Sequence, residues 1–137
     1  MIQRIQSVWL LLAAVCAFLT FRVSFYFGSK IANAASESLN ATSDILLIIC
    51  AAIVGLGSFI AIFLYKDRKL QIRIAIVALI VSLVSLILYF VHIEQYKGGG
   101  VFALTSVVSF VIPVFLIFAI RGIWKDQKLI KSLDRLR

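Results

Sequence analysis

Charge is missing from more than half of this 137-residue chain, and acidic charge is scarce throughout, with six Asp and Glu against fourteen Lys and Arg. Four stretches, Ile5–Phe21, Ile45–Tyr65, Ile74–Ile93 and Val101–Ile120, hold no Asp, Glu, Lys or Arg at all. Ionisable groups inside a membrane usually mark transport or proton relay, so the lack of an embedded carboxylate argues against a carboxylate-driven proton antiporter. One His and two Cys, with no acidic residue at ligand spacing, argue against a metal site. Cys16 and Cys50 fall in separate apolar stretches at depths about 7 Å apart, which disfavours a disulfide. Serine hydroxyls are plentiful, yet none has a visible base beside it, so nucleophilic hydrolysis lacks its apparatus. The expectation is a protein without catalytic residues or cofactor.

What is present instead is apolar length. A helix needs about 20 apolar residues to cross a hydrocarbon core of about 30 Å. The last three stretches supply 21, 20 and 20. A chain that is 63% hydrophobic, with mean hydropathy +1.09, also lacks the polar surface to cover a soluble domain of this size. The net charge of +8 sits in short clusters beside the apolar runs, the pattern of membrane-helix anchors, and no nucleic-acid partner is expected.

The first stretch is open to two readings. Arg4, an apolar run and Ala32-Asn33-Ala34 before Ala35 resemble a secretory signal with its cleavage site. From Val8 to Phe27, however, the segment outruns the roughly 7–15 residues of a usual signal core, which favours a retained helix over about 5–27. The expected fold class is then all-α: a four-transmembrane-helix bundle forming one membrane domain over 1–137. Its helices are expected near 5–27, 45–65, 72–93 and 101–123, followed by a short amphipathic basic tail helix over 124–137. Four spans put both termini and the loop between the second and third helices on one side, where 11 basic residues gather against three (Arg22, Lys30 and Lys97) on the other. Basic short loops stay inside, so both termini are expected in the cytoplasm.

The outer connections, Gly28–Asp44 and Glu94–Gly100, are small and polar, and Gly98-Gly99-Gly100 supplies a permissive turn. Thr42-Ser43-Asp44 offers N-caps to the second helix, with Asp44 also matching its positive dipole end. Each span carries small residues at helical spacing: Ala13, Ala17, Thr20 and Ser24; Ala51, Gly55 and Ser58; Ala75, Ala78, Ser82 and Ser85, leading to Tyr89 and His92; Ser106 and Ser109, leading to Pro113. Such stripes let helices approach closely in lipid, where apolar burial alone does not drive association. The competing reading is a polar seam for a substrate. Pro113 removes one backbone donor in mid-span, so a kink is expected there.

Two groups of charged and polar residues stand out. At the outer ends, Arg22, Asp44, His92 and Glu94 are four separately solvated residues, an ion-pair network or a proton site. On the inner side, Gln3, Arg4 and Gln6 are placed to meet Arg68, Gln71 and Asp126 beneath the bundle. Lys69, Arg73, Lys128, Lys131, Asp134, Arg135 and Arg137 extend this contact surface. In the tail, Ile123, Ile130, Leu133 and Leu136, flanked by Trp124 and Leu129, form a broken apolar side opposite the basic residues. Anchoring to anionic lipid and docking to a protein partner both account for it.

Met1-Ile-Gln-Arg-Ile-Gln6, the loop Lys66-Asp-Arg-Lys-Leu-Gln-Ile-Arg73, and Lys125-Asp-Gln-Lys-Leu-Ile-Lys-Ser-Leu-Asp-Arg-Leu-Arg137 resemble a family of small four-helix inner-membrane proteins from Bacteroidota, described as domain of unknown function 4293. The resemblance covers the whole chain, with one departure: Gln127 stands where an acidic residue is expected. It implies the fold and a bacterial inner-membrane location, and brings no activity or site residues. The polar part of the resemblance faces the cytoplasm, which points to an accessory or assembly subunit of a larger membrane complex, in protein export or envelope assembly. The runner-up is a small homo-oligomeric transporter or channel.

Overall fold

A long uncharged run in lipid must satisfy its backbone within itself, and a helix does so. In the computed structural model 79% of the described residues are accordingly helical. The structure describes residues 2–29, 36–65, 67–96 and 100–134, with side chains described over 5–28, 38–65, 67–96 and 100–129. Its helices are α1 (Ile2–Leu19), α2 (Ile45–Phe63), α3 (Arg68–Ile93) and α4 (Val107–Asp134). Among the described residues three helical segments are long and apolar enough to cross a membrane: Ile45–Phe63, Arg68–Ile93 and Leu104–Leu129. The apolar part of α1, Ile5–Leu19, is shorter and rises about 22 Å.

The helices form a closed ring in which α1 packs on α2 and α4, and α3 on α2 and α4. The small-residue stripes face inward. Ala13, Ala17, Ala61, Ala75, Ala78 and Ala119 are almost wholly buried, while Leu11, Ile53, Ile80 and Phe118 point outward. Leu10, Val54, Ile72, Ile112, Leu116 and Ile123 fill the space left between the stripes. Gly55 shows how tight the approach is: a Cβ there would lie 3.1 Å from the Phe18 ring of α1. Three hydroxyls turn back to the preceding turn, Thr20 donating to the Ala17 carbonyl at 2.6 Å, Ser82 to Leu79 at 2.7 Å and Ser85 to Ser82 at 2.8 Å. These three cost no unpaired donor, whereas the Ser58 hydroxyl of α2 is buried without a partner.

The all-α expectation is corrected at one end of this ring. Strands β1 (Tyr26–Ser29), β2 (Ser36–Leu39) and β3 (Val101–Phe102) form an antiparallel sheet in the order β2-β1-β3. Tyr26 pairs with Leu39 on one side and Phe102 on the other. The first helix therefore stops at Leu19 instead of reaching Phe27, through tightened bonds from the Phe21 amide to Phe18 and the Arg22 amide to Leu19. Phe21, Val23, Phe25, Tyr26 and Phe27 are β-branched or aromatic and suit a half-buried strand at least as well as a helix. A second cluster then closes the end. Phe25 stacks on Tyr89 with centroids 4.3 Å apart, and Tyr26, Leu39, Leu47 and Tyr96 pack around them.

Further differences follow from backbone bonding. The fourth helix begins at Val107 rather than Val101, because 101–102 is taken by β3 and Leu104–Ser106 by a 3-10 turn. At its other end it runs unbroken to Asp134, so residues 124–134 continue α4 and do not form a separate tail helix. Pro113 lies inside α4 and is buried. Asp44 holds the N-cap position of α2 in extended geometry, yet its side chain caps no helical amide, having been drawn to His92. Gly98, Gly99 and the small-residue segment 32–35 lie outside the described residues.

Candidate functional site

The bundle has a far end, closed by the sheet, and a near end where α1 and α3 begin and α2 and α4 run out. Polar side chains inside such a bundle need partners, because an unmade hydrogen bond there costs the full desolvation of the group. At the near end three polar residues are buried on three helices: Gln6 of α1 at 3% exposure, Gln71 of α3 at 1% and Asp126 of α4 at 5%. Gln71 spans helices, donating from Nε2 to the Ala61 carbonyl of α2 at 2.8 Å. That bond fixes which amide atom is the donor and leaves Oε1 without a partner. Gln6 Oε1 and Asp126 Oδ2 are likewise buried without a hydrogen bond. Gly122 makes room for Gln6, since a Cβ there would come within 3.2 Å of the Gln6 Cβ. One turn beyond Gly122 on the same face of α4 lies Asp126.

The expected inner contact surface is thus divided. Gln6, Gln71 and Asp126 turn into the bundle, whereas Lys69, Arg73 and Lys128 are exposed and Arg68 is half-buried. The side chains of Gln3, Arg4, Lys131 and Asp134 lie outside the described residues, as do Arg135 and Arg137 entirely. Beyond Ile123, which is wholly buried, α4 presents Trp124 at 62% exposure and Leu129 at 46%, with Lys125 and Lys128 beside them.

At the far end the structure joins two of the four candidate residues. His92 Nε2 lies 2.8 Å from Asp44 Oδ2, tying the last turn of α3 to the start of α2. Arg22 and Glu94 are exposed, and among the described residues no ion pair joins either to that couple. Between the two ends is a small cavity lined in part by Thr20, Ser82, Ser85, Tyr89 and Ser109. It leaves about 10 Å³ to the centre of a water-sized sphere, room for about one water. Among the described residues no group of three or more His, Cys, Asp or Glu is placed to hold a metal ion.

The sequence did not single out the aromatic closure of Phe25, Tyr26, Tyr89 and Phe102, although the density of aromatic and β-branched residues after Arg22 was its visible signal. An apolar groove outside the bundle, lined by Ile53, Gly57, Arg73, Ile74, Val77 and Ala78, was also missed. Gly57 and Ala78 break the large apolar positions of two consecutive helices, and that break was legible.

Three membrane-length apolar helical segments, closed into a bundle with α1 and capped by a small sheet, define a small helical membrane protein. Residues 2–136 match the family model described as Domain of unknown function (DUF4293), and the chain belongs to that family. No curated protein and no solved structure matches the chain.

Proposed function

We propose that this is a non-enzymatic protein of a bacterial inner membrane, crossing it four times with both termini in the cytoplasm, and that it serves as an accessory or assembly subunit of a larger membrane complex. The observation that carries the reading is the length of α4. Its 28 residues extend about 42 Å, beyond a hydrocarbon core of about 30 Å. The excess emerges as a stiff arm on which Trp124 and Leu129 are exposed among Lys125 and Lys128. Exposed aromatic and aliphatic anchors with a basic surround suit a protein contact. Four spans are supported by α1 lying in the ring beside α2 and α4, with Phe25 and Tyr26 completing the thickness that α1 alone falls short of. The orientation rests on the sequence, which has 11 basic residues before the first span, between the second and third, and after the fourth, against three in the other connections.

Gentle crosslinking in membranes, followed by purification, tests this reading. The protein is expected with other membrane proteins at fixed stoichiometry, and Trp124→Ser with Leu129→Ser is expected to release them while helical content is kept. Recovery of the chain only with itself sinks the subunit reading. The hydroxyl-lined cavity favours a second reading, a homo-oligomeric transporter, although its room for about one water gives a single copy no path. Flux in liposomes that Ser85→Leu reduces without unfolding distinguishes that case.

A further inference from the structure

The groove between α2 and α3 opens on the outer surface of the bundle and has a volume of about 200 Å³ as the space open to a water-sized sphere. Ala78, 1% exposed, lies deepest in it, and Gly57 opposite has no side chain to close it. A Cβ at Gly57 would stand 3.8 Å from Ile74 Cγ2 and 3.9 Å from the Ala78 Cβ, so a methyl would enter in ordinary van der Waals contact and the glycine leaves that space open. Ile53 and Val77, 43% and 54% exposed, form the rims. All of these are apolar, and the sole charged lining residue is Arg73.

The depth of Arg73 gives the groove its chemistry. It immediately precedes the uncharged run Ile74–Ile93, whose 20 residues rise about 30 Å, the thickness of the hydrocarbon core. Arg73 therefore stands at the headgroup level, while Ile74, Val77 and Ala78 run from it into the hydrocarbon. Lys69 lies one turn earlier on the same face of α3 and is also exposed. Among the described residues no ion pair engages Arg73. A guanidinium binds phosphate oxygens bidentately, and a second cation beside it disfavours any headgroup that carries its own positive charge.

We propose that this groove is a binding site for one anionic glycerophospholipid, an acyl chain lying over Gly57 and Ala78 and the phosphate held by Arg73 with Lys69 beside it. The assignment rests on α2 and α3 lying in a membrane and is independent of the subunit role, so either idea can fail alone.

Native mass spectrometry of the purified full chain, loaded from nanodiscs of phosphatidylglycerol, phosphatidylethanolamine or phosphatidylcholine with matched chains, tests it. One equivalent of phosphatidylglycerol is expected to remain bound, in preference to phosphatidylcholine by about fivefold or more, since each basic residue at the surface contributes on this scale. Arg73→Gln, a change at an exposed position, is expected to abolish the preference, and Gly57→Phe, which fills the groove, to lower retention of both lipids with helical content unchanged. Glycerophosphate without chains is expected not to compete. Equal retention of the lipids by the unaltered protein, or a preference that survives Arg73→Gln, overturns the proposal. So does retention indifferent to Gly57→Phe, or displacement by glycerophosphate, which would mark a free-anion site.

Discussion

His92 turns both ring nitrogens to acceptors: Nε2 to Asp44 Oδ2 at 2.8 Å and Nδ1 to the Leu88 carbonyl oxygen at 2.8 Å. The carbonyl belongs to the previous turn of α3, so the ring is oriented by its own helix and aimed at the start of α2. This explains why Asp44 leaves its capping role. A carboxylate at the N-terminus of α2 sits where the helix dipole favours its charge, and its contact with the imidazole in the last turn of α3 ties the ends of two neighbouring helices.

A double-mutant cycle measures the tie. His92→Ala and Asp44→Ala are each expected to destabilise the protein in mixed micelles. Their combination is expected to cost less than the sum, with a coupling of about 0.5–1 kcal/mol for a partly exposed pair. Arg22→Ala and Glu94→Ala should show no coupling with either partner. Strict additivity of His92→Ala and Asp44→Ala would remove the pair from the account of stability.

Gly100 is expected to be intolerant for a reason unrelated to its backbone angles. A Cβ at that position would overlap the ring and hydroxyl of Tyr26, the central residue of the sheet. Gly100→Ala is expected to cost about 1–3 kcal/mol, the range for forcing a methyl into filled space. Tyr26→Ser in the same chain is expected to recover part of that loss, since it removes the obstructing ring. Thermal unfolding of the single and double variants checks this, and a Gly100→Ala variant as stable as the parent contradicts the contact.

These two ends of the molecule show what a sequence of this kind discloses. The inward stripes through Ala17, Ala51, Ala78 and Ser82 were legible because helical spacing and lipid physics act over whole spans. The end of α1 was not legible: Val23, Phe25 and Tyr26 are apolar enough to extend a span, and only pairing with Leu39 and Phe102, remote in sequence, makes them a strand. Asp44 was recognised as a cap from its neighbours, while its use by His92 depended on a residue 48 positions later. At the near end, Gln6, Gln71 and Asp126 are expected from the sequence to form part of a contact surface beneath the bundle, and the structure buries all three. Whether each faced inward or outward was decided by helix rotation, which alternating polar and apolar residues near a helix end leave underdetermined.

Asp126 gives the sharpest consequence of that inward turn. Its Oδ2 is buried without a partner, as are Gln6 Oε1 and Gln71 Oε1 at the same end of the bundle, which are acceptors themselves. A carboxylate in that position weighs against the bundle, so Asp126→Asn, which keeps size and removes the formal charge, is expected to raise stability by about 1–3 kcal/mol. Ser58, wholly buried with an unpaired hydroxyl on α2, provides the comparison: Ser58→Ala is expected to stabilise by about 1 kcal/mol. The two gains should add, since they arise at separate sites. Residues that weaken the fold where they stand are commonly retained for function, and the subunit reading separates the two variants. Partner recovery after crosslinking should fall with Asp126→Asn and stay unchanged with Ser58→Ala. If Asp126→Asn instead destabilises the purified chain, its carboxylate is satisfied in the native protein, and the near end is a closed structural joint.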